Sequence, residues 1–226
     1  MSAVWQLATG NAHKAEELLA IVGSFGVTLR TPREAALSLD VEEWGETFAA
    51  NAVLKAVAYA RATGLPALAD DSGLSVDALG GAPGVLSARY AGPGANDASN
   101  NDRLVQALRE AGLSESPARY HCVIALALPT DRAVVADQDR RIAAARPDAL
   151  SLDLGDLIVH TFSGQMEGRV EDRPEGSGGF GYDPYFRLPD GRPLATLAAA
   201  EKNRLSHRGA ALARLRHWME QGTTHG

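Results

Sequence analysis

The chain has 226 residues, 45% of them hydrophobic and 22% charged, with a formal net charge of −6. That length can bury a substantial core, and the acidic balance excludes a broadly basic nucleic-acid surface, so any cationic site is local. The single cysteine, Cys122, excludes an internal disulfide and fits a reducing, cytoplasmic setting; no apolar run approaches a membrane span, and the first five residues lack the basic start of a signal peptide.

In chain order, residues 4–8 read as a short strand, the turn residues Thr9-Gly10-Asn11 follow, and 14–22 carry apolar positions at helical spacing. Residues 27–29 suggest a second strand closed by Pro32. After the acidic turn Glu42-Glu43-Trp44-Gly45-Glu46, Thr47 opens a long helix to residue 62, stopped by Gly64 and Pro66. Residues 67–69 and 74–76 are expected as two short strands flanking an Asp70-Asp71-Ser72-Gly73 turn. A loop is expected from 80 to about 97, then an amphipathic helix over 99–111.

Residues 119–128 form the longest β-like run, and 133–136 could pair with it as a hairpin. Strands are expected at 156–162, 168–170 and 185–188, with a flexible glycine loop at 176–181 and closing helices at 197–204 and 207–220. Cys122 is expected as a buried strand thiol. The alternation of helices and strands, with hairpin-like strands in the middle, predicts an α/β protein with a mixed sheet, and no linker divides 1–226, which is expected as a single domain.

Of the 22 cationic residues only three are lysine: Lys14, Lys55 and Lys202. A chain that otherwise uses arginine keeps lysine where a compact point charge suits better than a planar fork. Lys14 ends the turn Thr9-Gly10-Asn11-Ala12-His13-Lys14 at a helix start, where backbone N–H groups and the helix dipole favour anions. The spacing is not that of a Walker A loop, and a plain strand-to-helix turn would look the same. Asp70 and Asp71 with Ser72 offer oxygen ligands of the kind Mg²⁺ takes beside substrate phosphates, with Glu43 and Glu46 as further candidates; a solvated acidic turn is the alternative. Phe180, between glycines, can stack on a base, and Asp183 can accept from a ring N–H. His207 and Arg208 can donate to a base edge or a phosphate, while Ser206 can cap the last helix.

Six motifs occur in order: Thr9-Gly10-Asn11-x-x-Lys14, Asp70-Asp71-Ser72-Gly73-Leu74, Gly80-Gly81-Ala82-Pro83-Gly84, Ser87-Ala88-Arg89-Tyr90, Gly179-Phe180-Gly181-Tyr182-Asp183-Pro184 and Ser206-His207-Arg208-Gly209. Together they resemble the inosine triphosphate pyrophosphatase family over nearly the whole chain. The resemblance implies an elongated mixed sheet flanked by helices, two lobes with a substrate cleft, and a homodimer. It also implies Mg²⁺-dependent hydrolysis of non-standard purine nucleoside triphosphates to the monophosphate and pyrophosphate. By motif, Thr9, Gly10, Asn11, Ala12, His13 and Lys14 would hold phosphate, with Lys55. Asp71 would be the catalytic carboxylate and, with Glu43, the metal ligand. Ser72, Phe180, Gly181, Tyr182, Asp183, Lys202, His207 and Arg208 would bind the nucleotide. His13 stands where many members have glycine, and 131–156 is longer than the usual connection: a lid, a dimer contact or, as the favoured reading, a passive insertion.

Overall fold

The computed structural model describes residues 3–9, 11–23, 26–148 and 151–222. It opens with β1 (Ala3–Leu7), α1 (Ala12–Val22), β2 (Val27–Arg30), α2 (Phe48–Thr63) and β3 (Ala67–Val76). There follow α3 (Asp97–Glu110), β4 (Glu115–Pro129), α4 (Gln138–Ala143), β5 (Leu152–Asp153), β6 (Leu157–Glu171), β7 (Phe186–Arg187), α5 (Ala199–Leu205) and α6 (His207–Gly222). The strands form one mixed sheet in the order β2-β1-β3-β4-β6-β5, with β7 on β6. β1 runs parallel to β2 and β3, whereas β5 and β7 run antiparallel to β6.

The chain divides into two compact units. The first comprises Met1–Asp71, Val123–Ser163 and Ala211–Gly226, the second Ser72–Cys122 and Gly164–Ala210. In the first unit the strand order reverses direction at β1: the chain passes from β1 outward to β2, then back across β1 to β3. Parallel crossovers are right-handed as a rule, and under that rule the crossovers from β1 to β2 and from β2 to β3, which run in opposite directions along the sheet, put α1 and α2 on opposite faces of it. Parallel sheets bind ligands beyond the carboxyl ends of the strands at such a reversal.

α2 forms because Thr47 accepts the Ala50 N–H at 3.1 Å as N-cap, and Gly64 ends it in the left-handed region with its N–H on Ala60 O. Its small side chains Ala49, Ala52, Val53, Ala56 and Ala60 pack into a core with Val123, Ala125, Ala127 and Leu157. The second unit has its own core, in which Leu74, Leu104, Leu108, Tyr120, Met166 and Phe186 meet. Cys122 is buried in β4, as expected.

Three readings need correction. Residues 67–76 are one strand: Asp70 and Asp71 lie within β3, 1% and 7% exposed, so the solvated-turn alternative falls. Residues 157–171 are likewise one strand. Residues 133–136 form no strand; Val135 N–H bonds Leu154 O at 3.0 Å, and α4 follows. The 131–156 segment inserts Ile142, Ala145 and Leu154 into the first core, and Arg61 of α2 grips Asp156 at 2.7 and 3.0 Å and Gln138 at 2.8 Å. No helix among the described residues is long and apolar enough to cross a membrane.

Candidate active site

In the first unit β1 delivers the chain into the 9–14 turn. Asn11 caps α1 by accepting the Lys14 N–H at 3.2 Å, and Thr9 Oγ1 accepts the Asn11 N–H at 3.2 Å. Gly10 and the side chains of Ala12 and His13 lie outside the described residues. β1 pairs with β3 through Gln6–Ala67 and Leu7–Leu68, so Asp70 and Asp71 lie just past the end of β1. Successive strand residues face opposite sides of a sheet. The two helices on those sides each supply one lysine: Lys14 of α1 stands 3.2 Å from Asp70, and Lys55 of α2 stands 2.9 Å from Asp71.

Lys55 also meets Glu43 at 3.1 Å, so both carboxylates expected at the metal converge on one ammonium. Burial disfavours the Lys55 cation, but Asp71, Asp70 and Glu43 outweigh it and raise its pKa. Burial raises the pKa of Asp71 despite the nearby Lys55 and Lys14, leaving a carboxylate more basic than one at the surface.

Asp71 Oδ2 is buried with no hydrogen-bond partner among the described residues. An oxygen-only pair with one open, buried carboxylate oxygen suits a hard divalent cation completed by phosphate oxygens and water. Among the described residues no group of three or more His, Cys, Asp or Glu could hold a metal unaided.

One contributor, noticed in the sequence only as a same-face neighbour of Lys55, had no role assigned to it. Asn51 is fully buried on α2, one turn before Lys55, and its Oδ1 accepts the Gly45 N–H at 2.8 Å, two residues after Glu43. A Cβ on Gly45 would lie 2.6 Å from that oxygen. Asn51 therefore fixes the acidic turn that presents Glu43. The turn's Trp44 is 42% exposed. The one available signal was the i, i+4 spacing of Asn51 and Lys55 on one helix face.

The second unit assembles the other group. Asp183 is 4% exposed and accepts three bonds: from Lys202 Nζ at 2.7 Å, the Phe180 N–H at 2.9 Å and Tyr120 Oη at 3.1 Å. Lys202 Nζ also lies 4.6 Å from the centre of the Phe180 ring. The His207 ring stacks on Tyr120 with centroids 4.9 Å apart and planes 8° from parallel. Burial and the Asp183 carboxylate push the Tyr120 pKa well up, keeping it a neutral donor.

Arg208 is 2% exposed and donates to Ser72 Oγ at 3.1 Å, while Tyr182 Oη donates to Ser87 O at 2.7 Å. Ser87 in turn accepts the Leu74 N–H at 2.9 Å. Phe180, Tyr182, Asp183, Lys202, His207 and Arg208, scattered in sequence, thus belong to one unit. Asp183 faces its own neighbours through these bonds, whereas the sequence suggested it for a base N–H.

A fold with a strand-order reversal carrying buried carboxylate–lysine pairs, and a unit with a lysine-backed aromatic, together describe a nucleotide phosphohydrolase-like protein. The family comparison agrees: the Ham1 family profile matches residues 5–218, and the chain belongs to the Ham1 family. It is 41% identical over 216 residues to a dITP/XTP pyrophosphatase of Geobacillus kaustophilus, covering 95% of this chain and 93% of the relative. The structure of a Ham1 protein from Coxiella burnetii superposes with a TM-score of 0.79 at 37% identity, covering 97% of this chain and 99% of that one. A nucleoside-triphosphatase, dITP/XTP pyrophosphatase, from Mycobacterium abscessus gives 0.64 at 34% identity, covering 94% and 97%. The resemblance read from the six motifs holds.

Proposed function

We propose that this chain hydrolyses non-standard purine nucleoside triphosphates (ITP, dITP and XTP) to the monophosphate and pyrophosphate, clearing such bases from the nucleotide pool. The observation that carries the reading is the set of Lys14–Asp70 and Lys55–Asp71–Glu43, built on two buried aspartates, with Asp71 Oδ2 open. Lys14 and Lys55 supply the point charges a triphosphate needs; the 9–14 turn presents Lys14 at a helix start, and α2 presents Lys55 from its middle turns. Glu43 and Asp71 would hold Mg²⁺, which when bound offsets negative charge on the phosphates. Binding an anion at the lysines loosens their hold on the carboxylates. Asp71 acts mainly through the metal, which lowers its basicity, and Asp70 or Glu46 orients the attacking water.

On the base side, Phe180 stacks and Lys202 stands beside its ring, while Tyr182 and Asp183 shape the pocket with Gly181. His207 and Arg208 face the purine edge. Arg208 has only N–H donors, which match a 6-oxo group and meet a like donor in adenine. The chain acts in the cytoplasm as a single functional domain and a homodimer, needs no nucleic acid or membrane partner, and takes a free nucleotide as substrate.

The test is product analysis with ITP, XTP, dITP, ATP and GTP in the presence of Mg²⁺. IMP with pyrophosphate, abolished by EDTA, is the expected result. IDP with orthophosphate would overturn it, and ATP turned over as fast as ITP would overturn the base assignment.

A further inference from the structure

The loop that carries Phe180 is rich in glycine, yet its backbone is tied down group by group. Gly178 N–H bonds Ala195 O at 3.0 Å, and Phe180 N–H bonds Asp183 at 2.9 Å. Gly179 has no room for a Cβ, which would run into the Asp183 carboxylate. The next residue, Gly181, is gripped on both sides from the first turns of α3. Asp97 Oδ2 accepts its N–H at 2.7 Å, and Asn101 Nδ2 donates to its carbonyl at 3.0 Å. The two peptide groups flanking Gly181 are therefore fixed in direction, in a left-handed conformation at φ 61°. The adjacent Asn100 does the same for a second segment: its Oδ1 accepts the Ala91 N–H at 2.9 Å and its Nδ2 donates to Ala88 O at 3.1 Å. Tyr182 then joins the two held segments through Ser87 O.

Asp97 is exposed, and Asn101 is 8% exposed. α3 already has a cap, because Asn96 and Ser99 form a reciprocal capping box. The helix therefore does not need Asp97 or Asn101 for its own termination. Asn101 Nδ2 reaches 80 residues along the chain to one backbone carbonyl. The two side chains are spent on the two peptide groups that follow Phe180.

We propose that Asp97 and Asn101 are positioning residues for purine recognition: they clamp the Gly181 backbone and so hold the Phe180 ring beside Lys202 in the orientation that receives the base. This rests on the pyrophosphatase reading above, in which Phe180 stacks on the purine. Asp97 and Asn101 spend their bonds on Gly181, not on Lys14, Lys55, Asp71 or Glu43. The clamp thus acts on base affinity and leaves the phosphate end untouched.

Asp97→Ala, Asp97→Asn and Asn101→Leu are compared with the unaltered protein in three measurements: kcat and KM for ITP, the inhibition constant of inorganic tripolyphosphate, and calorimetric affinity for IMP. Loss of a charged hydrogen bond should raise KM in Asp97→Ala about tenfold with kcat within about threefold, and leave tripolyphosphate inhibition within about twofold. Asp97→Asn keeps an accepting oxygen and should return KM to within about twofold of the unaltered protein. Tripolyphosphate inhibition weakening in step with KM overturns the proposal, as does an unchanged KM in Asp97→Ala. Should Asn101→Leu fail to fold, the exposed Asp97 pair carries the test. If the unaltered protein cleaves no ITP, the functional reading falls by itself, and IMP affinity still reads the clamp: an undiminished affinity in Asp97→Ala overturns it.

Discussion

The two groups of functional side chains handle buried charge in opposite ways. In the second unit Asp183 is saturated: an ammonium, a hydroxyl and a backbone N–H occupy its oxygens. In the first unit Asp71 shares one oxygen with Lys55 and keeps the other open. A satisfied buried carboxylate fixes structure, because every alternative arrangement leaves a charge without a partner. A carboxylate with an open oxygen keeps coordination for something still to bind. The same residue type is therefore saturated in one unit and left with an open oxygen in the other.

Substitutions can break that contrast. Asp183→Leu should be the most damaging, since it strands the Lys202 ammonium inside the core. Breaking a buried pair in this way costs roughly 3–5 kcal/mol, read from urea denaturation. A loss under about 1 kcal/mol would show that the network is not structural. Asp71→Asn should do the reverse, keeping the fold while lowering kcat for pyrophosphate release about a hundredfold or more. A folded Asp71→Asn protein with unaltered kcat would assign the chemistry to another carboxylate.

A milder change sharpens the same point. Asn51→Ala frees the Gly45 N–H and with it the turn that bears Glu43. The Mn²⁺ dissociation constant, read by calorimetry, should rise about tenfold, as for loss of a group that orients a metal ligand. Equal Mn²⁺ affinity in the two proteins would remove Asn51 from that role.

The smallest effect concerns the 131–156 segment. Arg61→Ala should cost about 1 kcal/mol or less, because the pair with Asp156 is partly exposed. Arg61's hydrogen bonds lower the Asp156 pKa below its ordinary value. A depressed carboxylate stabilises the fold above its unfolded pKa, near 4, and loses that contribution as pH falls through the folded value. The difference in melting temperature between Arg61→Ala and the unaltered protein should hold at pH 7 and close near pH 2. A gap of equal size at both would show that packing carries it.

Much of this was legible in the chain. The 9–14 turn, the α2 caps at Thr47 and Gly64, and the three lysines announce themselves by local chemistry. Asp70-Asp71-Ser72-Gly73 did not, because its turn-like, β-poor composition conceals a strand. Lysines from two helices on opposite faces make burial of both aspartates possible, and no local window contains that information. The same limit hid Asp97 and Asn101. Asp97 stood at the end of the expected loop and Asn101 inside the expected 99–111 helix, while their common partner Gly181 lies 84 and 80 residues on. α4 escaped because six residues give too little periodicity to outweigh a hairpin reading. Asp183 was picked out by its motif, but only the fold shows that its oxygens are already spent.

Trp44 has a practical consequence. It stands beside Glu43 in the turn that Asn51 holds, 42% exposed, whereas Trp5 is buried at 8% in β1. The indole next to a carboxylate proposed as a metal ligand is a native fluorophore, located where cation capture by that turn would alter polarity. The part of the emission that is lost in Trp44→Phe, against the background of Trp5 and Trp218, can follow loading of the acidic turn in real time in unlabelled protein.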